Sequence, residues 1–225
     1  MADHKQDEED IEALRRWWDE NGKGLVAAVV LAVFGTVGWQ QYQNYAADRE
    51  AAASNLYAAM LAIRTEDGDF ESLLELAAGL KADHSSSAYA RFGAMLLASV
   101  AVEEGDLAAA EAELRWALAA GDTGSDFGQL IQLRLARVLA ARGQDTEALA
   151  ILGQGSRVYP VAFAQAEGDI HLAAGRESDA LRAYRVGRDA ALELGQASVA
   201  LDGKVRTLES RLGNRVELDD SEGAG

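Results

Sequence analysis

The residues best equipped for chemistry are few, and they are not arranged to perform it. Asp83, His84 and Ser85 stand side by side and are the three residue types of an acyl-transfer triad. Such a triad works by bringing nucleophile, base and orienting carboxylate together from separate elements, which adjacency along the chain does not supply. DHSSS instead reads as a polar loop and helix cap. His4 lies near the N-terminus, and His171 has no second histidine or acidic pair at ligand spacing, so it reads as a packed or hydrogen-bonded residue. Asn21 to Gly24, NGKG, sets a lysine beside glycines but lacks the earlier glycine and the Ser/Thr of a phosphate loop. Acidic pairs such as Glu103 and Glu104, or Glu111 and Glu113, lie on helices whose other faces are apolar and read as solvated surface. There is no cysteine, which excludes disulfides, thiolate zinc sites, cysteine nucleophiles and an acylated lipoprotein cysteine. No catalytic constellation, cofactor site or metal site results. The formal net charge of −16, from 21 basic and 37 acidic side chains, repels phosphate backbones, and no basic patch offsets it, so nucleic acid is excluded as a partner.

Binding is the remaining class of function, and it depends on the elements that would display a surface. With 45 alanines in 225 residues, one proline and 7% aromatics, the composition predicts an all-α chain. Gly24 to Ala47 is a run of 24 residues without a charge, and Leu25 to Trp39 is almost wholly apolar, which predicts a membrane span. Trp17, Trp18 and the snorkelling Lys23 mark one interface, and Trp39 and Tyr42 the other. Lys5, Arg15, Arg16 and Lys23 precede the span, whereas only Arg49 and Arg64 follow nearby, so the N-terminus is expected in the cytoplasm. A cleaved signal peptide is the competing reading, with Ala51-Ala52-Ala53 as its cleavage site. The long acidic segment before the apolar core and the bulky residues after it favour an uncleaved anchor. Gly24, Ala28, Ala32 and Thr36 recur every fourth residue and form a strip on which another membrane helix could dock. The alternative is that small residues are simply frequent in spanning helices.

After the span, helices separated by glycine turns recur. Gly105, Gly143 and Gly175 lie 38 and 32 residues apart, bracketing the 34-residue tetratricopeptide period. At common offsets after each turn come a small residue (Ala110, Ala148, Ala180) and a large one (Leu114, Leu152, Tyr184). A second small residue precedes each turn by seven: Ala98, Ala136 and Gly168. A degenerate copy surrounds Gly68. Pro160 suits the first position of a helix, and Leu201, Val205, Leu208 and Leu212 form a capping stripe. The expected organisation is a cytoplasmic tail over 1–21, a transmembrane helix over 22–45, a tetratricopeptide-like α-solenoid over 46–216 and a disordered acidic tail over 217–225. Stacked pairs make a concave groove lined by the first helix of each pair. In the register above, that groove presents Phe92, Met95, Ser99, Arg137, Gln165 and Asp169, although each alone could equally be core or ordinary surface.

The order of these features, with ALRRWWDENGKGL before the span, GW at its end and QLRLARVLAARGQDTEALAIL in the repeats, resembles the YfgM-type ancillary subunit of the bacterial SecYEG translocon from about Ile11 to Leu212. The resemblance implies a single-pass inner-membrane protein with a periplasmic repeat domain and no catalytic residues. It also implies association with the SecYEG translocon, with exported polypeptides and with a membrane-anchored periplasmic chaperone of the parvulin-like isomerase type. The implied role is a non-enzymatic scaffold, with regulation of an envelope-stress pathway as the alternative. Trp17, Trp18, Asn21, Gly22 and Lys23, and Leu133 to Arg137, are the matching interaction elements. The Gly-rich acidic C-terminus and the Ala-rich first repeat depart from the pattern.

Overall fold

The computed structural model describes residues 3–65 and 70–223, and every regular element in them is an α-helix. α1 runs Asp3–Thr65, α2 Phe70–Asp83, α3 Ala88–Glu103, α4 Leu107–Ala119 and α5 Asp126–Ala141. α6 runs Asp145–Leu152, α7 Pro160–Ala173, α8 Glu177–Glu193 and α9 Val199–Gly223. The chain divides into two compact units, Met1–Ala52 and Ala53–Gly225.

In the first unit, α1 passes unbroken through the boundaries at 21/22 and 45/46 expected at the edges of the span. No proline interrupts it, and isolated glycines cost a helix about 1 kcal/mol each, too little to end one. Apolar side chains point outward all round, with Val26, Val29, Leu31, Val33, Phe34 and Val37 exposed. A helix apolar on every side needs an apolar phase to cover it. At about 1.5 Å per residue its uncharged stretch exceeds the ~30 Å hydrocarbon thickness of a bilayer, and α1 is long and apolar enough to cross a membrane. Local bonds tidy its polar groups: Asn21 Nδ2 donates to the Trp17 carbonyl at 3.1 Å, and Thr36 Oγ1 donates to the Ala32 carbonyl.

The second unit opens with the last turns of α1. Ala53 and Met60 pack with Leu73, Ala77 and Leu80 of α2 and with Ala90, Leu97 and Val100 of α3. The pairs α3/α4, α5/α6 and α7/α8 follow, and α9 closes the array through Leu201, Val205 and Leu208, with Leu212 half-buried beside them. The small and large positions of the repeat are buried as expected: Ala110, Ala148 and Ala180, then Leu114, Leu152 and Tyr184. Gly105, Gly143 and Gly175 adopt φ of 80°, 77° and 74°. At Gly143 the left-handed residue lets its N–H reach the Ala140 carbonyl and the Gln144 N–H reach the Leu139 carbonyl, both at 2.9 Å. That pair of bonds satisfies the last carbonyls of α5 and turns the chain into α6. Pro160 sits at the first turn of α7. Ser87, Asp106 and Ser125 cap α3, α4 and α5 by accepting from Tyr89, Ala109 and Gly128 N–H groups at 3.2, 2.9 and 3.1 Å.

Gly68, the turn of the degenerate copy, lies outside the described residues, whereas Leu73 of that copy is buried in α2. The acidic segment 217–223, expected as a disordered tail, continues α9 to Gly223: the helix runs through the Gly213-Asn214 pair that follows the capping stripe, and no proline stops it.

Candidate functional site

The six residues expected to face a partner all fall on first helices: Phe92, Met95 and Ser99 on α3, Arg137 on α5, and Gln165 and Asp169 on α7. Three of them come together. A pocket of about 280 Å³ opens between α3, α4 and α5, lined by Met95, Ser99, Val102, Leu107, Leu114, Arg134, Arg137 and Val138. Met95, Leu114 and Val138 are buried, whereas Val102, Arg134 and Arg137 are exposed. Spacings of three and four residues put Met95, Ser99 and Val102 on one face of α3, and Arg134, Arg137 and Val138 on one face of α5.

Phe92 belongs to the same face of α3, one turn earlier, but it meets other rings instead of the pocket. Its centroid lies 4.7 Å from that of Phe127, 5.8 Å from Tyr57 and 6.0 Å from Tyr89. These four half-buried rings link the end of α1, α3 and α5 at separations suited to tilted and edge contacts. Arg91 adds its guanidinium 4.7 Å from the Phe127 centroid and donates from Nε to the Ala117 carbonyl at 3.0 Å. Burial lowers the pKa of this guanidinium, against the opposing pull of Asp122. Sequence reasoning named only Phe92 of this cluster; the signal lay in the i, i+3 pair Tyr89 and Phe92 together with an aromatic at the start of the next first helix.

Asp169 and Gln165 do not line the pocket. Asp169 accepts from Tyr184 Oη at 2.6 Å and pairs with Lys204, whose ammonium lies 4.8 Å from the Tyr184 ring centroid, so it ties α7 to α8 and α9. Burial, and the Asp169 carboxylate, raise the Tyr184 phenol pKa well above its ordinary value. Gln165 is half-buried on α7.

The charges around the pocket are unevenly matched. Arg115 bridges Glu111 and Glu147, each at 2.7 Å, and Arg142 also reaches Glu111. Lys81 pairs with Glu113, and Arg64 holds Glu103 at 2.6 Å. Among the described residues neither Arg134 nor Arg137 makes an ion pair. Arg134, three residues before Arg137, is the charged pocket residue absent from the groove register, which also lacked Val102, Leu107, Leu114 and Val138. The His171 expectation holds in detail: Arg176 Nε donates to its Nδ1 at 2.9 Å. Asp83 ends α2, and in the loop that follows, with His84 and Ser85, the His84 carbonyl accepts from the Ser87 N–H at 2.8 Å.

In the first unit, the Trp18 ring lies over Gly22, where an added Cβ would stand 3.0 Å from the indole. Trp17, Trp18, Trp39 and Tyr42 are exposed, with Trp39 and Tyr42 ring centroids 6.3 Å apart. Gly24, Ala28, Ala32 and Thr36 are exposed along α1, and nothing stands within 4 Å of a Cβ built on Gly24.

A tetratricopeptide repeat-like domain model matches residues 15–210. The chain belongs to this tetratricopeptide repeat-like family. Within it, the chain is 30% identical over 202 residues to the ancillary SecYEG translocon subunit of Haemophilus influenzae, covering 87% of this chain and 95% of that one. It is 29% identical over 192 residues to the Escherichia coli protein of the same name, covering 83% and 89%. The corresponding protein of Neisseria gonorrhoeae is 24% identical over 185 residues, covering 82% and 88%. No solved structure matches. The resemblance carried by the juxtamembrane and repeat motifs therefore extends to named relatives along most of this tetratricopeptide repeat-like chain.

Proposed function

We propose that this protein is a non-enzymatic scaffold of the Sec translocon, anchored through α1, whose repeat domain holds exported polypeptides near a periplasmic chaperone. The observation that carries this reading is the combination of an outwardly apolar α1 with an apolar pocket between α3, α4 and α5 of the repeat domain. The names of the relatives supply the association with the translocon. The basic bias before the span supports a cytoplasmic N-terminus and a periplasmic repeat domain. A parvulin-like isomerase anchored in the same membrane is the proposed chaperone, carried over from the resemblance of the motifs. Confinement to one membrane raises effective concentration, which can strengthen apparent binding about a hundredfold without new contacts. A shallow site is then sufficient.

In-cell photo-crosslinking tests the proposal, with the reactive group at Arg137 in the pocket and at Ala28 on the small-residue strip. Channel subunits captured at position 28, and exported chains or the chaperone at position 137, are the expected products. Capture of a signalling protein alone at position 137, with only lipid at position 28, would transfer the role to envelope-stress regulation.

A further inference from the structure

The repeat domain binds something in the scaffold reading, and the following inference rests on that reading while adding the chemistry of what is bound. The chain carries a net charge of −16, yet it leaves two neighbouring guanidinium groups, Arg134 and Arg137, without an ion pair among the described residues, one turn apart on α5. Both stand beside an apolar pocket with Met95, Leu114 and Val138 buried in its lining. The acidic neighbour of Val102 on α3, Glu103, is already held by Arg64 at 2.6 Å. At about 280 Å³ the pocket is slightly smaller than small-molecule sites, which run from ~300 to 1,000 Å³. It takes one or two side chains, not a helix laid along the surface.

We propose that this pocket binds an external peptide segment carrying an aliphatic side chain next to a carboxylate. The aliphatic group enters between α3, α4 and α5, and the carboxylate meets Arg134 and Arg137. Each half is insufficient alone. The apolar contact gives affinity without choosing among hydrophobic segments, whereas exposed arginine–carboxylate pairs are individually worth little in water. Together they select aliphatic segments flanked by acid and disfavour those flanked by lysine or arginine, because a third cation would face two unpaired guanidinium groups. In a translocon scaffold, this sorts emerging chains by the charge beside an apolar residue.

The test uses the full chain in nanodiscs of neutral lipid and a fluorescein-labelled decapeptide of Gly and Ser with Leu-Asp-Glu at its centre, read by fluorescence anisotropy. Saturable binding is expected, and Arg134→Glu with Arg137→Glu should weaken it about fivefold to tenfold. Replacing the peptide's acids by Asn-Gln should cost a similar factor. Val102→Trp, at an exposed position beside the pocket, should weaken binding while leaving the melting curve in place. Equal binding by the amide peptide, or by the double arginine variant, overturns the proposal. So does displacement of the peptide by phosphatidylglycerol vesicles but not by excess unlabelled peptide, which would make the occupant a lipid. If the decapeptide fails while position 137 still crosslinks exported chains, the scaffold reading stands and this ligand chemistry is wrong. If the decapeptide binds as described but no exported chain is captured, the pocket stands and the scaffold reading falls.

Discussion

A missing methyl group at position 168 gives Tyr184 its place. A Cβ on Gly168 would overlap the Tyr184 ring, so the α7/α8 contact is built from the smallest residue and one of the largest. Gly168→Val should therefore cost on the order of 3 kcal/mol, as overpacking of a tight core does, read from urea unfolding of the full chain in detergent. Tyr184→Phe is a milder change. It removes the phenol that donates to Asp169 and should cost about 1 kcal/mol near neutral pH. The same hydrogen bond has a pH signature. Since burial and Asp169 raise the phenol pKa, the folded state holds its proton more tightly than the unfolded chain does. The stabilisation is complete below the unfolded value of about 10 and is lost as pH rises beyond it. Wild type should accordingly lose melting temperature above about pH 10 more steeply than Tyr184→Phe. A left-handed glycine is a third single-residue dependence: Gly143→Ala forces a Cβ into positive φ and should cost about 1–2 kcal/mol.

At the scale of helices, two kinds of contact join successive pairs, and their magnitudes differ. Leu114 of α4 is fully buried in the largest core cluster, and Leu114→Ala should cost about 2–5 kcal/mol. The Arg115–Glu147 pair between α4 and α6 is nearly half exposed on both sides, and a double-mutant cycle across it should return less than about 1 kcal/mol. The core holds the pairs together, and the surface ions refine their register. This difference explains what could be read from the chain alone. Glycine at a turn and alanine at a close helix contact are local necessities, so Gly105, Gly143 and Gly175, with Ala110, Ala148 and Ala180, were legible by spacing. The pocket was legible in part, since Met95, Ser99 and Arg137 follow from the register of first helices. Asp169 occupies the same register yet turns to Tyr184 and Lys204, and the aromatic cluster depends on which first helices touch, a fact of tertiary packing that no single helix period contains. The extension of α9 through 217–223 escaped for a different reason: acidic composition argues for solvation, and solvation is compatible with helix.

For the molecule as a whole, the exposed apolar belt of α1 has to be matched to lipid. Phe34→Arg near the middle of the uncharged stretch should disfavour insertion by roughly 2.5–3.5 kcal/mol, and carbonate extraction of membranes should then release a larger share of the protein than it does for wild type. The repeat unit has another global property. Helix contacts in it run mainly between neighbours in sequence, α3 with α4, α5 with α6, α7 with α8 and α8 with α9, with α4 meeting α5 and α6 meeting α7. Such a stack needs no partner from the far end of the chain, and its contact order is low. As synthesis proceeds, each helix pair finds the surface it packs on already made. The array can therefore assemble from its N-terminal side pair by pair, with α9 covering the apolar face that α8 leaves open.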